Sequence, residues 1–157
     1  MRIAILTVSD AGARGARADT SGDAIVAWAE ARGDRVVARA LVPDDTADIV
    51  RQLLGWCDDD AADLVLTTGG TGLAPRDVTP EATRAVLERE APGIPERLRS
   101  LSLERFPRAA LSRGTAGVRG RTLLVNLPGS PGGVRDALAA LEPIIGHATA
   151  IVRGDAT

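Results

Sequence analysis

Apolar positions along the 157-residue chain follow two alternating rhythms. Short continuous runs, RIAILTV (2–8), RVVARAL (35–41), DLVLTT (63–68) and RTLLVNL (121–127), have the length and β-branched content of buried strands. Between them apolar residues recur every three or four positions, which predicts helices over 23–32, 45–57, 80–90, 92–106, 132–141 and 144–152. Gly33 ends the first of these, Ile49, Val50, Leu53, Leu54 and Trp56 form the apolar face of the second, and Pro95 is tolerated in a first turn. Residues 108–120 read as a short hairpin. Strands alternating with helices specify an α/β fold, a three-layer α/β/α sandwich around a mostly parallel sheet, with residues 1–157 as one domain.

In such a sheet ligands collect at the carboxyl ends of the strands, so the residues after each run matter most. After the first come Ser9 and Asp10, then Asp19, Thr20, Ser21 and Gly22 ahead of a helix. After the third comes TTGGTGLAPRDVTPEAT (67–83), and after the last NLPGSPGG (126–133). The last two share a build: glycines, then a hydroxyl residue followed by proline, Thr79-Pro80 and Ser130-Pro131. A Ser or Thr N-cap with Pro at the first helical position opens a helix whose exposed N–H groups attract anions. One such loop is equally a tight turn; two on one edge favour an anion site.

Which anion, and what balances it? GGTG lacks the G-x-G-x-x-G spacing, no G-K-[ST] follows, and the chain contains no lysine, so dinucleotide and P-loop readings both fail. The positive charge must come from arginine or a cation. Asp44, in LVPDD, and Asp77, in APRDVTP, belong to the same edge and are hard oxygen ligands suited to Mg²⁺ beside phosphate; a turn start and a helix-dipole partner are their plainer roles. Arg76 and Arg113 adjoin loops and are candidate phosphate partners, whereas the remaining arginines between 97 and 121 read as a solvated face.

Composition narrows the field. A net charge of −2 argues against a general nucleic-acid binder. A single cysteine, Cys57, and a single histidine, His147, exclude an intrachain disulfide, a zinc cluster and a Cys–His dyad; both residues read as structural. The N-terminal apolar run is too short for a signal peptide or a membrane span, so a cytoplasmic location away from membranes is expected.

Together TVSD with DTSG, LVPDD, TTGGTGLAPRDVTPEAT, LSRGTAGVRG and NLPGSPGGV resemble, in order and spacing, the Mog/MoaB-type molybdopterin adenylyltransferases of molybdenum-cofactor biosynthesis and the related domain of gephyrin. The resemblance spans residues 3–152. It implies an α/β/α homotrimer that binds molybdopterin and ATP with Mg²⁺, yields adenylated molybdopterin and pyrophosphate, holds no tightly bound organic cofactor, and meets other molybdenum-cofactor enzymes transiently. Asp44 and Asp77 match the two aspartates required for adenylyl transfer and would hold the metal. Thr68, Gly69, Gly70, Thr71, Gly72, Arg76, Asn126, Pro128, Gly129, Ser130 and Pro131 match substrate-binding loops. Ser9, Asp10, Asp19, Ser21 and Gly22 match a loop shaping the pocket, and Ser112 and Arg113 a motif on the pterin side. A non-catalytic pterin carrier and a scaffold domain of the same fold remain the alternatives.

Overall fold

In the computed structural model, which describes residues 1–156, six strands form one sheet in the order β2-β1-β3-β6-β5-β4. Strands β1 (Arg2–Val8), β2 (Arg35–Val42), β3 (Leu64–Thr68) and β6 (Thr122–Leu127) run parallel, so their carboxyl ends share one edge. β5 (Ala116–Arg119) and β4 (Arg89–Glu90) extend the sheet antiparallel. The continuously apolar β1 sends successive side chains to opposite faces, which explains the layering. Ile3 and Ile5 face a core completed by α2 (Thr20–Ala31), α5 (Gly93–Leu103) and α6 (Pro131–Arg153). Ala4 and Leu6 face the opposite core, completed by α3 (Thr46–Asp58) and α4 (Thr79–Val86).

Several expected boundaries shift for identifiable reasons. Residues 10–13, expected in a loop, form the single turn α1 (Asp10–Ala13), capped by the Ser9 hydroxyl accepting from the Gly12 N–H at 3.0 Å. Helix α4 ends at Val86 rather than near 90: Leu87 is extended, and Arg89 and Glu90 pair with Val118 and Gly117. A longer α4 would have left that edge of the sheet unpaired. Beyond α5 the chain tightens into a 3-10 turn, Pro107–Leu111, in place of the expected start of a hairpin. The hairpin itself lies later and joins β5 to β6 through Gly120 and Arg121, with Gly120 at the positive φ of 55° that a two-residue turn demands. The two C-terminal helices are one continuous α6 that contains Pro143. Leu138, Leu141, Ile145 and Thr149 stay buried along one face across the proline, and Arg97 Nε donates to the Ala140 carbonyl at 2.8 Å in the turn that the proline disturbs.

Candidate active site

Because β1, β3 and β6 are neighbours, the loops that leave their carboxyl ends lie side by side, and short hydroxyl-to-carbonyl bonds stitch them together. Ser21 Oγ donates to the Gly129 carbonyl at 2.6 Å, and Thr68 Oγ1 to the Pro128 carbonyl at 2.6 Å. Asp19 caps α2, accepting from the Gly22 N–H at 2.9 Å, from Thr7 Oγ1 at 2.8 Å and from Arg39 Nη2 at 2.8 Å. Burial alone would raise the Asp19 carboxyl, but these donors outweigh it and hold it below its ordinary range. Asp19 therefore serves as a fixed corner of the pocket.

The glycine loop is drawn tight onto this frame. Gly69 and Gly70 adopt φ of 96° and 66°, and a β-carbon on Gly69 would lie 2.3 Å from the Val8 carbonyl oxygen. Thr79, expected as the N-cap of α4, is instead its first residue, with Val78 in the cap position. Its N–H donates to the Gly70 carbonyl at 3.1 Å and its hydroxyl to the Gly69 carbonyl at 2.9 Å, so it closes the loop rather than capping the helix. Ser130 does cap α6, with Oγ accepting from the Gly133 N–H at 3.1 Å. Of the two loops with one sequence build, only that of α6 begins a helix in the predicted way.

Asp44 and Asp10 exchange main-chain bonds: the Asp10 N–H reaches Asp44 Oδ2 at 2.9 Å, and the Asp44 N–H reaches Asp10 Oδ1 at 3.0 Å. Arg76 straddles them, donating from Nε to Asp10 Oδ2 at 2.6 Å and from Nη2 to Asp10 Oδ1 and the Asp44 carbonyl at 3.0 Å each. This pairing holds the Asp10 carboxyl below its ordinary range. The Asp44 carboxyl moves the opposite way, raised by burial and by the neighbouring charges of Asp10 and Asp77. Asp77 Oδ2 accepts from the Ala74 N–H at 2.9 Å. Arg113 Nε donates to the Gly72 carbonyl at 2.8 Å and Nη2 to the Asp77 carbonyl at 2.6 Å, and the guanidinium pairs with Glu81.

Two clefts open on this edge. One, of about 630 Å³, has Gly70, Thr71, Gly72, Asp77, Ser112, Asn126, Pro128, Gly129 and Ser130 in its wall, together with residues of α5, the 3-10 turn and the first turns of α6. The other, of about 620 Å³, has Ser9, Asp19, Ser21, Asp44, Thr68, Gly69, Gly70, Asp77, Gly129, Ser130 and Pro131. Gly70, Asp77, Gly129 and Ser130 belong to both. Four sequence-predicted residues, Asp10, Gly22, Arg76 and Arg113, line neither and act on the frame instead. Arg76 and Arg113, expected as phosphate partners, already have carboxylate partners in the fold.

Asn126 lines the first cleft, yet its side chain is engaged within the protein. Nδ2 donates to Thr67 Oγ1 and Thr83 Oγ1, each at 2.9 Å, and Oδ1 accepts from the Thr115 N–H at 3.1 Å, so the amide knits β6 to β3, α4 and the start of β5. Sequence reasoning missed Arg39, which secures Asp19, and the wall of the first cleft formed by Arg99, Arg105, Phe106, Arg108 and Asp136. In the sequence these arginines have the look of a solvated helix face, and no spacing distinguishes the ones that border the cleft. Cys57 is buried on α3 with its thiol pushed up to about 11 by desolvation, which makes it an inert core residue. His147 is exposed on α6.

Among the described residues no group of three or more His, Cys, Asp or Glu side chains converges to hold a metal ion. The donor set nonetheless suits Mg²⁺ arriving with phosphates, which takes one or two carboxylates and completes its shell with phosphate oxygens and water. Asp44 and Asp77 share a cleft, neither forms an ion pair among the described residues, and the repulsion raising the Asp44 carboxyl is of the kind a cation relieves.

Comparison with known proteins places this architecture. The family model described as "Probable molybdopterin binding domain" matches residues 4–147. The molybdopterin adenylyltransferase of Helicobacter pylori J99 is 39% identical over 157 residues, covering 99% of this chain and 89% of its own. That of Escherichia coli K12 is 38% identical over 149 residues, covering 94% and 76%. Among solved structures, the molybdopterin biosynthesis enzyme MoaB of Thermus thermophilus superposes with a TM-score of 0.93 at 53% identity, covering 99% and 98% of the two chains. The Mog protein of Mycobacterium ulcerans does so with 0.90 at 40%, covering 96% and 97%. The chain belongs to the family of molybdopterin-binding domains of molybdenum-cofactor biosynthesis.

Proposed function

We propose that the chain is a molybdopterin adenylyltransferase, which moves the adenylyl group of ATP to the terminal phosphate of molybdopterin and releases pyrophosphate. The observation that carries this reading is the pair of clefts of nearly equal volume meeting at Gly70, Asp77, Gly129 and Ser130. Two ligands seated there bring their phosphate ends to one wall. The cleft bearing Asp44 receives the nucleotide, and the cleft bearing Ser112 and the arginine-rich wall receives the pterin.

The chemistry asks little proton transfer of the protein. An oxygen of the molybdopterin phosphate attacks the α-phosphorus of ATP, the bond from that phosphorus to the bridging oxygen breaks, and pyrophosphate leaves with the electron pair. The nucleophile is already anionic at neutral pH, which explains how a site without lysine, cysteine or histidine suffices. What remains is alignment and charge: fixing two reactants in attack geometry is worth roughly 7–11 kcal/mol of barrier. The stitched loops supply the alignment, and their main-chain N–H groups are donors for phosphate oxygens. Asp44 and Asp77 are the residues that would hold Mg²⁺, which would supply the neutralisation of phosphate charge. The reading carries with it homotrimeric assembly, measurable by sedimentation velocity, and a cytoplasmic setting.

The test supplies molybdopterin and MgATP labelled in the α-phosphate. Labelled pterin and released pyrophosphate are expected, with a loss of about 100-fold or more in Asp44→Ala or Asp77→Ala while both variants stay folded. Folded wild-type protein that binds the pterin but makes no labelled product would establish the carrier reading in its place.

A further inference from the structure

Asp44 and Asp77 are held by one device used twice. Arg76 Nη2 grips the Asp44 carbonyl at 3.0 Å while the guanidinium pairs with both oxygens of Asp10 at 2.6 and 3.0 Å. Arg113 Nη2 grips the Asp77 carbonyl at 2.6 Å while its guanidinium pairs with Glu81. In each case an arginine fixes the main chain of a cleft aspartate and gives its charge to a different acid. The planar five-donor guanidinium makes these contacts from a rigid set of nitrogens, whereas lysine would have to make them all from a single one. Neither arginine lines a cleft.

We infer that Arg76 and Arg113 are positioning residues for Asp44 and Asp77, and that Asp10 and Glu81 keep the arginine charge away from them so that both aspartates face the clefts uncompensated. The inference rests on the adenylyl-transfer reading only for the identity of the incoming cation, a magnesium ion carried by nucleotide phosphates. A guanidinium freed beside Asp44 would act as an internal counterion and compete with that cation. One already paired with two carboxylate oxygens presents little net charge. The arrangement explains why the two acids sit beside arginines and yet form no ion pair among the described residues.

Asp10→Asn separates this role from direct phosphate binding by arginine, because the two predict opposite signs. Asparagine keeps an oxygen for the Asp44 N–H but unpairs Arg76. On the positioning reading, calorimetric titration shows MgATP binding to Asp10→Asn weakened about fivefold or more and metal-free ATP binding strengthened, and in the adenylyl-transfer assay Arg76→Lys fails to sustain turnover while its KM for molybdopterin stays within about twofold of wild type. Glu81→Gln, at a half-exposed position on α4, is the second variant and should act in the same direction through Arg113. MgATP binding that is unchanged or tighter in both variants overturns the inference. Mn²⁺ titrated without nucleotide and followed by electron paramagnetic resonance tests the charge arrangement by itself. Weaker Mn²⁺ binding in Asp10→Asn sustains it even where wild-type protein makes no adenylated product, an outcome that removes the functional reading alone. Unchanged Mn²⁺ binding overturns it.

Discussion

Gly70, like Gly69, is a position of the glycine loop that has no room for an added carbon. Its φ of 66° is a left-handed conformation that costs an L-residue about 1–2 kcal/mol. A β-carbon there would lie 2.3 Å from Thr79 Oγ1 and 3.2 Å from Asp44 Oδ1. Thr79 is fully buried and its hydroxyl is committed to the Gly69 carbonyl, so it cannot swing away without giving up that bond. Overpacking of this sort costs about 1–3 kcal/mol, and Gly70→Ala should therefore lose about 2–5 kcal/mol in urea unfolding. Thr79→Ala should cost about 1–3 kcal/mol by itself, because it strands a buried carbonyl. If the clash is real, the double variant is less destabilised than the sum of the singles by about 1–2 kcal/mol, since removing Oγ1 makes room for the new methyl while the backbone strain remains. Strict additivity would refute the steric account, and an unchanged midpoint in Gly70→Ala would refute the strain account as well.

Asn126→Ala removes a buried amide that satisfies two threonine hydroxyls and a main-chain N–H, and should cost about 2–4 kcal/mol in denaturant unfolding; a near-neutral result would return Asn126 to a substrate-binding role. Asp34 pairs with the N-terminal ammonium at 2.6 Å and with Arg32 at 2.8 Å, partners that outweigh its burial and hold its carboxyl below the ordinary range. Since the folded value is the lower one, the stability it contributes is present above the unfolded carboxylate value and lost as pH falls through the folded one. Asp34→Asn should accordingly melt lower than wild type at pH 7, and the two Tm values should converge in acid; a gap that persists at low pH would contradict this. Phe106 is half-exposed and is the aromatic side chain in the wall of the first cleft, with the Arg108 guanidinium 5.2 Å from its ring centroid. Stacking of a flat heterocycle on such a ring is worth about 1–3 kcal/mol, so Phe106→Ala should weaken molybdopterin binding roughly 5- to 150-fold in a fluorescence titration and leave MgATP binding unaltered.

The sheet was legible because strands buried on both faces, β1, β3 and β6, read as continuous apolar runs, and these and the edge strand β2 lie within one residue or so of the runs in the sequence. The site loops were legible because glycine, proline and hydroxyl residues mark strand-to-helix turns whatever surrounds them. What stayed hidden is what depends on residues far apart in the chain. Thr79 before Pro80 has the look of an N-cap, but Val78 takes the cap position and the Thr79 hydroxyl donates to the Gly69 carbonyl ten residues back. Pro143 has the look of a helix break, but the buried face of α6 on either side of it holds the helix together. Arginine patterns were the least readable of all, because a guanidinium reaches far enough to choose its partner from any neighbouring loop.

That reach decides how the charges of the site are arranged. Read singly, Asp10, Asp44, Arg76, Asp77 and Arg113 are candidates for contact with substrate, and a lysine-free phosphate loop invites the view that its arginines substitute for the missing ammonium. The partners run otherwise. Asp10 takes the charge of Arg76 across 66 positions and Glu81 that of Arg113 across 32, so the nearby positive side chains are neutralised within the frame. Asp44, its carboxyl raised by burial and by like charges, is left facing the second cleft beside Asp77. A fixed arginine at that position would bind phosphate oxygens equally well with either substrate or product, whereas a cation that enters with the nucleotide can leave with the pyrophosphate. The absence of lysine from the glycine loop is thus consistent with a site that holds its anionic carboxylates in place and leaves the compensating positive charge to arrive with the substrate.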